Sequence, residues 1–146
     1  MGSLKAIDYP PVWLAAFLGA SWALGRILPL PGLPVTGLIL AGCGVALMVA
    51  ALVQMMLART TFVPRKEPRT LVSRGVFAMS RNPIYLGDAL ILAGLSLYWG
   101  ALLALPLVAV FVAIINRRFI RGEEAVLRQS FGAEFDAYCG RTRRWL

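Results

Sequence analysis

The residues best placed to do chemistry lie in one short stretch that begins at Arg81. Pro83 fits the first turn of a helix, where its missing N–H is not needed, and Asn82 fits the N-cap position before it. The N-terminus of such a helix offers free N–H groups and partial positive charge, which suit a carboxylate or another anionic group. Arg81, Tyr85 and Asp88 follow at spacings of four and three residues and therefore share one helix face. A capped helix with an interfacial tyrosine is the purely structural alternative for the same residues.

Acidic residues supply the remaining chemical groups. Asp88 lies about one turn into an apolar run, where acids usually face a partner or a wet cavity, and Arg81 is a candidate partner. Glu123 and Glu124 follow Arg117, Arg118 and Arg121. One of them could turn inward to bind a polar or cationic ligand, or both could form a solvated helix start stabilised by the helix dipole. The chain has no histidine, which removes His-ligated zinc, Ser-His-Asp triads and histidine proton shuttles, and we expect no metal site.

The composition places this chemistry in a membrane. Of 146 residues, 59% are hydrophobic and only 15% are charged, and the mean hydropathy is +0.72. A water-soluble globule of this size has too little interior to hide so much apolar surface. The composition therefore excludes an ordinary cytosolic enzyme, a disordered chain and a disulfide scaffold. The net charge is +8, but the basic residues stand between apolar runs as the flanks of membrane helices do, so nucleic acid is not an expected partner.

Four apolar runs predict the fold. They cover about residues 12–28, 35–58, 84–99 and 101–119. The runs are continuous rather than alternating, which favours membrane-spanning helices over strands. Gly100 separates the last two runs in a tight hairpin, and Pro106 can kink the fourth. Basic residues concentrate in residues 59–83 and 120–146, so the positive-inside rule puts these segments and both termini in the cytoplasm.

The predicted architecture is one all-α integral membrane domain over residues 1–146. It has four transmembrane helices and a cytoplasmic amphipathic helix near the C-terminus, which lies on the bilayer or caps the bundle. The apolar stripe of that last helix consists of Leu127, Phe131, Phe135 and Tyr138. Its other faces carry Glu123, Glu124, Arg128 and Glu134. Gly132 is a weak point within it, because glycine lowers helix propensity.

Small residues are frequent in the second apolar run. Gly37, Gly42 and Gly44 lie there among several alanines. Small residues let the backbones of neighbouring membrane helices approach closely. We therefore expect close helix packing along this run. Pairing of this run with a second copy of the chain, which would form a homo-oligomer, is an alternative that the sequence leaves undecided.

Several short motifs follow one another in the second half of the chain. They occupy residues 71–77, 81–87, 123–124 and 131–138. Their order and spacing resemble the isoprenylcysteine carboxyl methyltransferase and phospholipid methyltransferase superfamily. The resemblance covers roughly residues 60–146 and implies an integral-membrane methyltransferase that uses S-adenosylmethionine. In that superfamily the cofactor lies in a cytoplasmic pocket formed by the loop before the helical hairpin, the first hairpin helix and the C-terminal helix.

The resemblance also implies which residues would form the site. Those expected at the cofactor are Thr70, Leu71, Val72, Phe77, Asn82, Pro83, Ile84, Tyr85 and Glu123. Those expected at the lipophilic acceptor are Arg117, Arg118 and Arg121, with Arg118 and Glu123 as catalytic residues. The superfamily often has histidine at the position of Asn82, and arginine one turn before the acidic pair, where this chain has Phe119. We expect the start of the third span and the two glutamates to fold toward each other at the inner leaflet and to enclose a nucleoside-sized chamber that is open sideways to lipid.

The absence of histidine also bears on the methyl acceptor. A carboxylate is ionised at neutral pH and needs no base, so an arginine that positions it is sufficient. An amine or a thiol must lose a proton. This favours the carboxylate of an isoprenylcysteine-like lipid and leaves lipid amines and small thiols open. Two other classes stay open: a related membrane reductase that uses NADPH, and a non-enzymatic four-span protein such as a small transporter.

Overall fold

The structure is a computed structural model that describes residues 8–60 and 66–146. These residues form helices, turns and loops, with no strand among them. We number the α-helices in chain order. They are α1 (Pro10–Ile27), α2 (Pro34–Leu57), α3 (Val76–Met79), α4 (Pro83–Tyr98), α5 (Pro106–Ile115), α6 (Arg121–Phe131) and α7 (Ala133–Arg141). The all-α prediction is confirmed for the described residues.

Proline begins four of these helices. Helices α1, α2, α4 and α5 each carry proline in the first turn. Proline suits that position because its ring presets the helical φ and the missing N–H is not needed there. The starts of α1, α2 and α4 lie within two residues of the predicted boundaries. Pro106 begins α5 after a 3₁₀ turn at Leu102–Ala104, and the kink at this residue stays a prediction.

The last apolar helix extends well past its predicted end. Helical structure runs without a break through 30 residues, Leu102–Phe131, and includes a π-helical turn at Asn116–Ile120. At about 1.5 Å per residue this helix is about 45 Å long, against about 30 Å for the hydrocarbon core of a bilayer. The predicted end of the span at residue 119 is therefore not an end of the helix. Glu123 and Glu124 therefore lie on the same continuous helical segment as the apolar residues of this helix.

Within residues 8–60 and 66–146, two helices are long and apolar enough to cross a membrane. They are Pro34–Leu57 and Leu102–Phe131, and Pro83–Tyr98 is a shorter apolar helix. Only 22% and 28% of the apolar windows of the two long helices are buried inside the protein. Outward-facing apolar surface of this extent is typical of helices that contact lipid. The prediction of spans is supported for these two helices, and further spans at α1 and α4 stay predictions.

Helix α4 packs against α2 through paired glycines. Gly37 lies opposite Gly94, and Gly44 lies opposite Gly87, so the two helices run antiparallel. A Cβ atom on Gly44 would come within 2.6 Å of the Gly87 carbonyl oxygen, and one on Gly94 within 2.5 Å of the Gly37 carbonyl oxygen. The backbones touch because side chains are missing on both sides. The close packing expected of this run is confirmed at Gly37 and Gly44, whereas Gly42 lies on the open face.

Valine in place of Gly44 is expected to push α2 away from α4. Overpacking a tight contact lowers the free energy of unfolding by about 1–3 kcal/mol or more. Gly42→Val is the matched control, because it lies on the same helix and a Cβ there would meet no atom within 4 Å. Thermal unfolding of both variants in detergent, followed by circular dichroism, makes the comparison. Equal losses in the two variants would mean that helix propensity, not the contact with α4, sets the effect.

The opposite side of α4 packs against α1 and α5. The buried residues of this α1–α4–α5 core are Tyr85, Ala89, Leu92, Phe111, Ile115, Phe119 and Ile120. The hydroxyls of Ser21 and Ser96 are 2.6 Å apart and fully buried. Ser96 also donates to the Leu92 carbonyl oxygen at 2.7 Å. The serine pair therefore ties α1 to α4 with its hydrogen bonds satisfied inside an apolar core.

The C-terminal helices cap the bundle. Gly132 has φ of +51°, a conformation that glycine adopts at little cost, and it separates α6 from α7. Phe135 and Tyr138 are buried and pack with Ala51 and Phe77, and we call these four residues the capping cluster. The Tyr138 hydroxyl donates to the Phe77 carbonyl oxygen at 2.6 Å, and burial raises the pKa of Tyr138. The expected stripe is present, but it lies on two helices rather than one.

Candidate active site

The motif at residues 81–87 contacts the motif at residues 123–124 directly. The Tyr85 hydroxyl, in the first turn of α4, donates to the Glu123 carboxylate at 2.6 Å. Beside it, Nη2 of Arg81 donates to the Glu124 carboxylate at 3.1 Å. The two bridges join the start of α4 to the start of α6. The expected approach of the two segments is confirmed, whereas their position at the inner leaflet and a nucleoside-sized chamber between them stay predictions.

Glu124 is the more buried glutamate of the pair. It is 8% exposed and accepts two hydrogen bonds from Arg144, at 2.9 Å and 2.6 Å, in addition to the one from Arg81. Two guanidinium groups thus compensate the burial of one carboxylate. The hydrogen bonds to Glu124 raise the pKa of Arg144. Glu124 is therefore the glutamate that turns inward, one of the two arrangements that the sequence left open, and its partners are arginines of the chain itself.

Asp88 has no cationic partner among the residues that the structure describes. Its side chain is buried on α4, with 4% of the residue exposed, and within residues 8–60 and 66–146 no ion pair reaches it. Arg81, the partner expected from the sequence, pairs with Glu124 instead. Acids inside apolar helices usually face a partner or a polar ligand. Asp88 is therefore a candidate contact for a ligand.

The end of the chain crosses the start of α4. The carbonyl oxygen of Arg144 accepts hydrogen bonds from Asn82 Nδ2 at 2.9 Å and from Ser80 Oγ at 3.3 Å. The carbonyl oxygen of Arg143 accepts from the backbone N–H of Arg81 at 3.0 Å. We call residues 142–144 the C-terminal strap. Asn82 occupies the N-cap position of α4, but its amide binds the strap and makes no capping hydrogen bond.

Leu71 and Val72, two of the apolar residues expected at the cofactor, line a shallow cavity. This cavity of about 200 Å³ is lined by Ala58, Leu71, Val72, Ser73 and Arg74. Small-molecule sites usually measure roughly 300–1,000 Å³, so this space holds only part of a nucleoside-sized ligand. Thr70, just before the lining residues, is exposed, and its N–H lies 3.4 Å from Thr60 Oγ1.

Helix α4 divides the expected cofactor residues between its two sides. Leu71, Val72 and Ile84 pack against the capping cluster, to which Phe77 belongs. Tyr85 faces the α1–α4–α5 core on the other side and binds Glu123 there. Pro83 is buried at the start of α4, next to the half-buried Asn82. A ligand that used both sets would have to reach across this helix start.

The arginines expected at the acceptor lie on or next to the π-helical turn. Arg118 binds the Asp8 carboxylate through two hydrogen bonds, 3.0 Å and 3.1 Å long, and its guanidinium lies 5.3 Å from the centre of the Trp13 ring. The Trp13 indole N–H donates to the same carboxylate at 3.0 Å. Arg117 and Arg121 are exposed. Arg118 therefore already holds a carboxylate in a two-pronged arrangement, and that carboxylate belongs to the chain itself.

A comparison with known protein families decides the class of protein. The phospholipid methyltransferase family model matches residues 33–134, well over half of the chain. The chain belongs to the phospholipid methyltransferase family. The resemblance of its motifs to this superfamily is thereby confirmed, and the matched residues include all of α2 to α6. As a family member the protein is a membrane methyltransferase, and methyltransferases of this family in general use S-adenosylmethionine.

One similar protein has no described activity. An uncharacterized protein of Haemophilus influenzae is 40% identical over 63 residues, which cover 43% of this chain and 100% of that protein. No solved structure matches the chain. The family match thus carries the assignment of class.

Two residues at the site of this phospholipid methyltransferase family member are not predicted from the sequence. They are Asp8 and Arg144. Glu124 is one of the two glutamates that the sequence offers, and its position three residues before Leu127 places it on the inward-facing side of α6. Asp8 and Arg144 contact residues far away in the chain, and no local pattern indicates such contacts.

Proposed function

We propose that the protein transfers a methyl group from S-adenosylmethionine to the carboxylate of an isoprenylcysteine-like lipid. The observation that carries this proposal is the 2.6 Å hydrogen bond between Tyr85 and Glu123. It joins the two motif segments of a methyltransferase family at one place, with the apolar cavity of Leu71 and Val72 on the other side of the α4 start. The proposal includes a location in the cytoplasmic membrane with both termini in the cytoplasm, where the cofactor is made.

The residues present fit the chemical groups of this cofactor. A carboxylate such as Glu123 suits an ammonium group or ribose hydroxyls, and Leu71 and Val72 offer apolar contact for an adenine ring. Asn82, at a helix N-terminus, suits a carboxylate. When bound, S-adenosylmethionine would supply an electrophilic methyl group to the acceptor and would be left as the neutral thioether S-adenosylhomocysteine. Tyr85 holds the Glu123 carboxylate in one orientation before any ligand arrives.

Arg118 is the residue best suited to hold an acceptor carboxylate. Its guanidinium already binds Asp8 through two hydrogen bonds, which is the arrangement that arginine uses for carboxylates. An acceptor carboxylate would replace Asp8 in these bonds. Exposed Arg117 and Arg121 add positive charge near the same turn. An ionised carboxylate needs no general base, which is consistent with a chain that contains no histidine.

A lipid amine is the second candidate acceptor. Asp88 favours it, because a buried carboxylate without a cationic partner in the described residues is suited to bind a protonated amine and to take its proton. The family description, phospholipid methyltransferase, is compatible with an amine headgroup. The two acceptors differ in the residue they require, Arg118 for the carboxylate and Asp88 for the amine.

Labelled substrate tests the proposed function. Purified protein in lipid nanodiscs would receive methyl-labelled S-adenosylmethionine and a panel of lipid acids, lipid amines and small thiols. We expect labelled methyl ester from a prenyl-thioether acid, identified by mass spectrometry. Labelled amine or thioether would move the proposal to that acceptor. Absence of label transfer together with absence of S-adenosylhomocysteine binding would contradict the proposed function.

A further inference from the structure

A charged cluster outside the expected cofactor residues ties three separate parts of the chain together. Glu124 on α6 binds Arg81, from the loop before α4, at 3.1 Å, and Arg144, from the C-terminal strap, at 2.6 Å. The side chains are 11%, 13% and 34% exposed, in that order. Because the carboxylate is largely buried, the loss of either guanidinium would leave it undercompensated. The cluster is therefore held together more tightly than a surface ion pair.

The strap is anchored at both of its ends. At its beginning, Thr142 Oγ1 donates to the Ala78 carbonyl oxygen at 3.3 Å, and the Thr142 N–H donates to Tyr138 at 3.0 Å. At its end, Arg144 binds Glu124, and the next residue, Trp145, packs against the α1–α4–α5 core. The strap thus links the capping cluster to the other side of α4.

We propose that the C-terminal strap positions the cofactor site and that Arg144 and Glu124 are positioning residues. Arg144 acts through Asn82, whose amide its carbonyl oxygen holds at 2.9 Å. Glu124 acts through its neighbour Glu123, which it fixes relative to Tyr85 by holding Arg81 one turn earlier. This inference rests on the proposed function, because the residues it positions are those assigned to the cofactor. The strap lies beyond residues 33–134, which the family model matches.

The expected effect follows from the geometry of positioning. Without the Arg144 guanidinium, the strap loses its two hydrogen bonds to Glu124 on α6. Arg81 alone then balances the negative charge of the Glu124 carboxylate. The α4 start and the α6 start are then free to shift relative to each other. A misplacement of about 1 Å at such a site can reduce function by about 100-fold. We expect a loss of about 10- to 100-fold in affinity for the cofactor product.

Calorimetric binding of S-adenosylhomocysteine to the full chain in detergent tests the inference. Arg144→Gln is expected to weaken binding about 10-fold or more, whereas Arg144→Lys, which keeps the charge, is expected to recover part of the loss. Arg128→Gln is the matched control. Arg128 also pairs with an acid, Asp136, at 2.9 Å, but this pair is exposed and joins α6 only to α7. We expect it to change binding by no more than about twofold.

The thermal unfolding midpoint is measured on the same samples. A loss of affinity that is larger in Arg144→Gln than in Arg128→Gln at similar midpoints indicates positioning and not a general loss of stability. In Arg144→Gln with Tyr85→Phe, the two losses of affinity should be non-additive, since both act on the Glu123 carboxylate. Unchanged affinity in Arg144→Gln, with or without a lower midpoint, would overturn the inference and leave the proposed function intact. If the wild-type protein itself binds no S-adenosylhomocysteine, the proposed function fails and the inference fails with it.

Discussion

Glutamine in place of Glu123 is expected to weaken S-adenosylmethionine binding by about 10- to 150-fold, the equivalent of one hydrogen bond to a charged group. The substitution keeps the size of the side chain and removes only its charge. Tyr85 can still donate to the amide oxygen, so the start of α4 and α6 should stay joined. The loss would therefore report the missing carboxylate and not a change of fold. Equilibrium binding of labelled cofactor to the purified protein measures it.

Two further variants give this result its meaning. Tyr85→Phe removes the hydroxyl that orients Glu123 but keeps the buried ring, so we expect a smaller loss of about 2- to 12-fold. Glu134→Gln removes the charge of an exposed glutamate on α7 and should leave binding unchanged. Wild-type affinity in Glu123→Gln, together with measurable binding by the wild-type chain, would remove Glu123 from the cofactor site.

Local sequence signals predict the helices of this protein well. Pro10, Pro34 and Pro83 each lie in a first helical turn, because proline restricts the backbone of its own residue and of its neighbours. Gly132 breaks the C-terminal segment for an equally local reason, its positive φ. Apolar runs, and the prolines and glycines that end them, are recognised from neighbouring residues alone. That is why the boundaries of α1, α2 and α4 were predicted closely.

The end of the last span could not be predicted from hydrophobicity. The apolar run stops near Phe119, yet the backbone stays helical to Phe131. Charged residues such as Arg121 and Glu124 are compatible with a helix, so a change of polarity marks the end of apolar contact and not the end of helical hydrogen bonding. The extension matters for the site, because it carries both glutamates to the start of α4.

Long-range contacts determine which charged residues pair with each other at the candidate site. Arg118 pairs with Asp8, which lies near the other end of the chain. Glu124 on α6 pairs with Arg144 in the C-terminal strap. A single sequence contains no periodicity that encodes such pairs. Motif order located Tyr85 and Glu123, whereas the choice of partner for Arg81 was wrong because it relied on helix-face spacing alone.

Alanine in place of Arg118 is expected to reduce methylation of a prenyl-thioether carboxylic acid by about 10- to 100-fold, because a bidentate pair between arginine and carboxylate is lost. S-adenosylhomocysteine binding should stay unchanged, since Arg118 contacts Asp8 and Trp13 and not the residues assigned to the cofactor. Asp8→Asn should instead strengthen binding of the acid substrate. It releases the guanidinium from an internal carboxylate and should lower the KM for the acid.

The same assay with a primary-amine phospholipid, run beside Asp88→Asn, decides between the two acceptors. If the acceptor is a carboxylate, Arg118→Ala loses transfer and Asp88→Asn keeps it. If the acceptor is an amine, the buried Asp88 carboxylate becomes the required group and the pattern reverses. Loss of transfer to the acid in Asp88→Asn alone, with normal cofactor binding, would contradict the role given to Arg118. The choice of acceptor thus depends on whether the reaction requires the guanidinium that Asp8 now occupies or the acid buried in α4.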